Sequence, residues 1–421
     1  MSLTITDVRI LDPESGTDAI GHIRIENGKI AELGPDCGIY GTVIEGQGLC
    51  AAPGLIDMRV TTGEPGRENR ETLATATKAA IAGGVTTMVV MPGTNPVLDD
   101  MALIDYVMRR GENLPVDIHV AGALTKGLDG KTMTEIGLMQ EVGAVMFASG
   151  KSPIRDAQIM RRLLSYSASF NALISNQCMT PDMSNGTVAH ESDFSSRLGL
   201  SAAPAVSERI MAERDVALAE LTGGRVLLDL VSSAETLPVL RRAKAKGLDV
   251  AASVSINHLA LNELDIGDYR TFAKLEPPLR EEADRQALLS AINDGTIDII
   301  VSDHDPRPAG EKRLPYAEAS PGAVGLELLL AAGLSQVADG GLEMLPFLAA
   351  LTCHPADLLG LETGRLRQGA IADLVLFDLH EPWVCDAEKL RSRSKNTPFD
   401  GRRLTGRVRH TIKAGDVVYS A

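Results

Sequence analysis

Chemistry in this sequence is concentrated in a few short strings. Ser302-Asp303-His304-Asp305 sets carboxylates on either side of an imidazole. His304 reads as a side chain that orients a loop. Asp57-Met58-Arg59-Val60-Thr61 ends an apolar run with a permanent cation. Ser149-Gly150-Lys151-Ser152 has the Gly-Lys-Ser of a phosphate loop but lacks the full Gly-x-x-x-x-Gly-Lys spacing, so it reads as an ordinary loop. Cys178 follows Gln177, and a nucleophilic thiol would need a base within reach. None is evident, so Cys178 reads as a buried, inert thiol. Among the eight histidines, His119, His258 and Asp303 form a conceivable metal set, although His119 in VDIHVAGAL is better read as packing.

These residues need a frame that brings strand ends together. GLIDMRV, GVTTMVVMP, VDIHVAGAL, GAVMFAS, NALISNQ, GRVLLDLVS, DVAASVS and IDIIVSD read as buried strands, with amphipathic stretches such as SERIMAERDVALAELTGG between them. This alternation predicts an α/β fold, a (β/α)8 TIM barrel over residues 53–364. An open doubly wound sheet is disfavoured because no Gly-x-Gly-x-x-Gly follows the first strand. The ends differ from the middle: TITDVRILD, HIRIENGKIAEL, ADLVLFDL and VRHTIKAGDVVYSA alternate polar and apolar residues around turns. Residues 1–52 and 365–421 are therefore expected to pair into one small β domain. In the barrel, Arg59 and Asp303 would both end strands at the mouth, so we expect them to pair. The stretch 306–320, rich in Pro and Gly and without a period, leaves disorder open.

Composition narrows the function. The chain has 421 residues, 44% hydrophobic and 23% charged, with net charge −15. The acidic balance argues against nucleic acid, and 3% aromatics argue against base-stacking platforms. No apolar run reaches the ~18 residues of a membrane span, and the first residues show no secretory pattern. Five scattered cysteines give neither a disulfide framework nor a Cys-x-x-Cys metal site, and a cytoplasmic location is expected.

The strings PGLIDMRVTTGEPG, TATKAAIAGGVTTMVVMPGTNPVLD, SRLGLSAAPAVSERIMAERDVALAELTGGRV, EPPLR, IVSDHDPR, PGAVGLELLL and GRLRQGAIADLVLFD, in that order, resemble dihydroorotases of the cyclic amidohydrolase superfamily. The resemblance spans nearly the whole chain. It implies the same barrel with a β-sandwich from both termini. It also implies zinc, held by a His-x-His pair after strand one, a carboxylated Lys or an Asp near strand four, a His after each of strands five and six, and an Asp after strand eight. In this sequence those positions hold Arg59, Thr61, Ser149, Gln177, Leu230 and Asp303. Only Asp303 keeps the family residue, which the resemblance implies moves the proton. Lys151 lies near the strand-four position but out of register. The family's substrate-binding Arg and Asn fall on Gly63 and Gly93, and Asn257 and Glu276 also depart from their motifs.

These departures lead to the expectation that the zinc site is lost and that no cofactor is bound. The resemblance then implies a non-catalytic homologue, a structural or regulatory partner of the aspartate carbamoyltransferase catalytic chain in pyrimidine synthesis. A homodimer or hetero-oligomer is expected with it. Two alternatives stand beside this reading. One is a working amidohydrolase that converts dihydroorotate and water to N-carbamoyl-aspartate through an unusual metal site. The other is a module that binds an anion or pyrimidine precursor in the old pocket, drawn by Arg59 and Lys151.

Overall fold

The structure, a computed structural model, describes residues 2–421. Alternating residues at the amino end become β1 (Ser2–Asp12), β2 (Thr17–Glu26) and β3 (Lys29–Gly34), followed by β4 (Thr42–Glu45) and β5 (Cys50–Pro53). Asn27 and Gly28 both have positive φ at the β2–β3 turn, the left-handed pair that a tight hairpin requires.

Barrel strands follow as β6 (Leu55–Val60), β7 (Val85–Val90), β8 (Asp117–Ala123), β9 (Ala144–Ala148) and β10 (Leu173–Gln177). A short pair, β11 (Ala189–His190) and β12 (Ala202–Ala203), sits in the connection before β13 (Arg225–Asp229), β14 (Val250–Ser255) and β15 (Ile299–Val301). The eight barrel strands are parallel and ordered β15-β14-β13-β10-β9-β8-β7-β6. The ring is nearly closed by the bridge between Val60 and His304 and by the Thr61 amide, which donates to the His304 carbonyl at 2.8 Å. Every residue of β6, β7, β10 and β14 is buried, as expected of parallel strands covered on both faces.

The barrel interior is filled by Ile56, Met58, Val89, Ala121, Met146, Leu173, Leu227 and Ile299. A larger apolar layer lies between the strands and the outer helices. Local signals start those helices: Thr72 caps Leu73–Ala82 through a capping box with Thr75, and Asp100 caps Met101–Gly111.

After the barrel come β16 (Leu374–Val384), β17 (Arg403–Lys413) and β18 (Asp416–Ser420). They join the amino-terminal strands in one sheet, ordered β18-β17-β16-β5-β1-β2-β3, with β4 paired to β1. Its own core includes Ile5, Ile23, Ile25, Leu374 and Ile412. The stretch 306–320 is folded: it carries a turn of helix, Ala309–Lys312, and buries Tyr316. Thr271 Oγ1 donates to the Lys312 carbonyl at 2.7 Å, and the Gly322 amide beyond it donates to the Lys274 carbonyl at 3.0 Å. Side-chain anchoring, which periodicity does not report, orders this loop. No helix among the described residues is long and apolar enough to cross a membrane.

Candidate active site at the barrel mouth

Arg59 lies at the carboxyl end of β6, where pairing with β7 shifts register between Asp57 and Val60. Such an irregularity re-aims side chains, and this guanidinium is 3% exposed at the mouth. Its Nε donates to Asp303 Oδ1 at 3.0 Å, the expected pair, and its Nη1 donates to Asp229 Oδ2. Asp229 was absent from the predicted set. Its signal was available: it is the one charged residue inside the apolar run Val226–Val231, and a charge inside a buried strand calls for a partner. Ser253 Oγ donates to the other oxygen of Asp229 at 2.8 Å. Burial disfavours the charged guanidinium, but Asp229 and Asp303 outweigh it and hold Arg59 cationic. Burial lifts the Asp303 pKa above the usual carboxylate range, although Arg59 and Lys151 oppose it.

A second set lies beside the first. Lys151 Nζ bonds to Asp305 Oδ2, which also accepts from Arg307 at 2.8 Å. Burial works against the Asp305 charge, yet Lys151 and Arg307 hold its carboxyl well below the ordinary range. Asp57 is fully buried, accepts from the Arg59 and Ser302 amides at 3.1 and 3.2 Å, and is pushed up to about 6 by burial. His304 turns away from this chemistry. Its Nδ1 accepts from the Gly325 amide at 3.2 Å, and its Nε2 lies 3.4 Å from Glu71. That placement matches the orienting role expected for it.

The remaining predicted residues separate into two kinds. Ser149, Gln177, Leu230 and Asn257 are buried at strand ends around the mouth. The Gln177 amide donates to Ser149 Oγ at 3.1 Å, while both amide atoms of the Gln177 side chain are buried without a partner. Asn257 donates to Ser255 Oγ at 3.1 Å and leaves its Oδ1 unpartnered. Leu230 and Asp303 have φ of 57° and 49°, left-handed backbone that costs about 1–3 kcal/mol per residue and gathers at functional sites. Thr61 contributes its backbone to ring closure. Gly63 has no room for a side chain, since a Cβ there would collide with the Arg67 carbonyl. A Cβ on Gly93 would meet nothing within 4 Å.

The metal set His119, His258 and Asp303 is not assembled. His119 is near the amino end of β8, close to Asp117 and Lys413, and His258 is buried with Nε2 3.2 Å from the Pro278 carbonyl. Among the described residues a different group could hold an ion. His190, Glu281 and Asp284 bring ligand atoms within 4.8 Å of one another. Burial and the neighbouring Arg280 lower His190 to about 4, so its imidazole is neutral, with the Nδ1 lone pair taken by Arg280. The link back to the mouth runs through Arg280, which donates to His190 Nδ1 and to Ser232 Oγ, both at 3.0 Å. Cys178 is buried, and burial raises its thiol well above the ordinary value, in keeping with an inert role.

Comparison with known proteins follows this geometry. The sequence profile described as "Amidohydrolase family" matches residues 50–418. A dihydroorotase of Pelobacter propionicus is 36% identical, with 100% of both chains covered. One from Ehrlichia chaffeensis is 37% identical, covering 100% of this chain and 96% of its own. One from Pelotomaculum thermopropionicum is 39% identical, covering 99% and 98%. Among solved structures, the L-hydantoinase (dihydropyrimidinase) of Arthrobacter aurescens superposes with a TM-score of 0.90 at 24% identity, covering 99% of this chain and 96% of its own. These findings correct one expectation. The reading as a non-catalytic partner of aspartate carbamoyltransferase is overturned by end-to-end likeness to proteins named dihydroorotase, together with a His/Glu/Asp group suited to a metal. That expectation rested on changed residues at the ends of strands one, four, five and six, whereas His190, Glu281 and Asp284 lie outside those strand ends.

Proposed function

Because the chain belongs to the amidohydrolase family, we propose that it hydrolyses a cyclic amide, with dihydroorotate opening to N-carbamoyl-aspartate as the first reaction to test. The observation that supports this reading is the full-length identity of 35–39% to relatives named dihydroorotase. In the ring opening, water's oxygen bonds to the amide carbon, the C–N bond breaks, and a proton moves from the water to the departing nitrogen. A buried carboxylate with a raised pKa suits that proton transfer, and Asp303 is the candidate. Arg59 orients Asp303 and keeps a fixed positive charge beside it, in position to stabilise negative charge on the amide oxygen.

The strand-end residues do not fit the zinc pair that the resemblance implies. The Arg59 guanidinium lies between the two carboxylates, and Leu230 has no donor atom. No step is routed through zinc there. His190, Glu281 and Asp284 offer ligand atoms for one divalent ion, which would supply a Lewis acid if Arg280 gave up the His190 Nδ1 lone pair to it.

The test is turnover of dihydroorotate, followed in both directions, together with metal content after supply of zinc. Activity that disappears in Asp303→Asn, and one bound zinc that disappears in His190→Ala, is the expected result. Wild-type protein with zinc supplied and no turnover of dihydroorotate or hydantoins would sink the hydrolase reading.

A second reading, capture of a pyrimidine precursor without turnover, is favoured by a cavity of about 210 Å³ lined by Met179, Lys274, Glu276 and Pro278. A rise in the melting midpoint with orotate or dihydroorotate, without product, distinguishes it. Association with the aspartate carbamoyltransferase chain, as a hetero-oligomer or beside a homodimer, is a separate proposal supported by the resemblance alone. Co-elution of the mixed proteins tests it.

A further inference from the structure

Loop 306–313 and the carboxyl-terminal segment 388–396 line a cavity of about 410 Å³. Arg307, Lys312, Arg313, Arg393 and Lys395 line it, against a single carboxylate, Glu388. That excess of positive charge stands out on a chain of net charge −15. Only Arg307 among the five is neutralised, by Asp305 at 2.8 Å and Glu311 at 3.4 Å. The Arg313 and Arg393 side chains make no ion pair among the described residues, and both residues are exposed. Lys312 is 2% exposed and donates only to carbonyls, Thr271 at 3.0 Å and Lys274 at 3.4 Å. Lys395 likewise bonds only the Leu390 and Ser392 carbonyls.

A buried ammonium with no counter-charge is expensive to maintain. Burial brings Lys312 down to about 7, and Lys151, Arg307 and Lys274 push the same way against Asp305. An anion in the cavity would reverse that penalty. The site is also built rather than loose. Asn396 accepts from the Arg307 amide at 2.9 Å and donates to the Asp305 and Gly322 carbonyls at 3.2 and 2.9 Å, which fixes the two walls relative to each other. Phe272 and Pro308 provide an apolar wall next to the cations.

We propose that this cavity binds a small phosphoester, its phosphate groups held by Lys312, Arg313, Arg393 and Lys395 and its organic portion set against Phe272. Guanidinium forks match phosphate oxygens in pairs, while the two ammonium groups act as point charges. A ring system on the organic portion would add stacking on Phe272.

Calorimetric titration of the full chain with pyrophosphate, ATP, uridine and citrate tests the assignment. Saturable binding of ATP and pyrophosphate, weakening as salt rises, is expected, with uridine silent and citrate much weaker. Arg313→Ala combined with Arg393→Ala is expected to weaken ATP binding by about tenfold or more while the circular dichroism is unchanged. If the double variant melts early, either single substitution at these exposed positions takes its place. No saturable heat with either phosphate compound, citrate binding as tight as ATP, or undiminished binding by a folded variant would overturn the proposal.

Discussion

Arg59 joins two carboxylates that lie far apart in the sequence: its Nε is 3.0 Å from Asp303 after β15, and its Nη1 bonds Asp229 at the end of β13. All three residues are no more than 4% exposed. One guanidinium therefore serves as the counter-charge for the centre of the barrel mouth, and it ties two strand ends to β6.

Removing that cation leaves two buried carboxylates facing each other. Arg59→Met is expected to cost about 3–5 kcal/mol of stability, the range for breaking a buried pair from one side. Urea midpoints of the variant and the parent measure it. An unchanged midpoint would mean that the two acids find other partners or take up protons without penalty.

Asp57 gives a pH dependence of definite sign. Its folded pKa, about 6, exceeds the ordinary 3.8, so the folded state binds the extra proton. Its contribution is fully present below about pH 4 and is lost as pH rises through 6, worth about 3 kcal/mol in all. Asp57→Asn keeps the acceptor oxygen for Arg59 and Ser302 and removes the titration. The variant should gain stability relative to the parent between pH 4 and 6 and hold that gain above. Melting midpoints across this range decide it, and parallel curves would refute the assignment.

Gly63 and Gly93, where the resemblance implies an Arg and an Asn, should behave oppositely. A Cβ on Gly63 would collide with the Arg67 backbone, so Gly63→Ala is expected to destabilise by about 1–3 kcal/mol. Gly93 opens onto free space, so Gly93→Asn should stay within about 0.5 kcal/mol of the parent. Denaturant titration of both variants tests the contrast.

Glu208 is a buried hub outside the mouth. It accepts from the Ser232 and Ser233 amides at 3.1 and 3.0 Å and from Thr236 Oγ1 at 2.7 Å, with Arg280 3.5 Å away. Glu208→Leu is expected to cost about 3 kcal/mol or more, since it orphans several donors and the Arg280 charge together. It should also disturb His190, which Arg280 holds. A nitrogen-resolved NMR spectrum of the histidines would report that second effect.

Much of this protein follows from its sequence alone. Parallel strands covered on both faces are mostly apolar, so the barrel strands are readable as runs such as LIDMRV and VTTMVV. The pairing of Arg59 with Asp303 was also readable, because strand order alone brings the ends of the first and last barrel strands together. Tertiary structure decided the rest. Asp229 joins Arg59 only because β13 ends beneath the same mouth, and Glu71 meets His304 only because a loop folds back to reach it. His190 finds Glu281 and Asp284 across connections whose path no periodicity encodes. Likewise, five cations drawn from two separate segments become one cavity only after the carboxyl-terminal segment packs on loop 306–313. The physical reason is the same in each case. Strand identity is set by local side-chain patterning, whereas electrostatic partners are set by distances through space, and those exist only once the chain has folded.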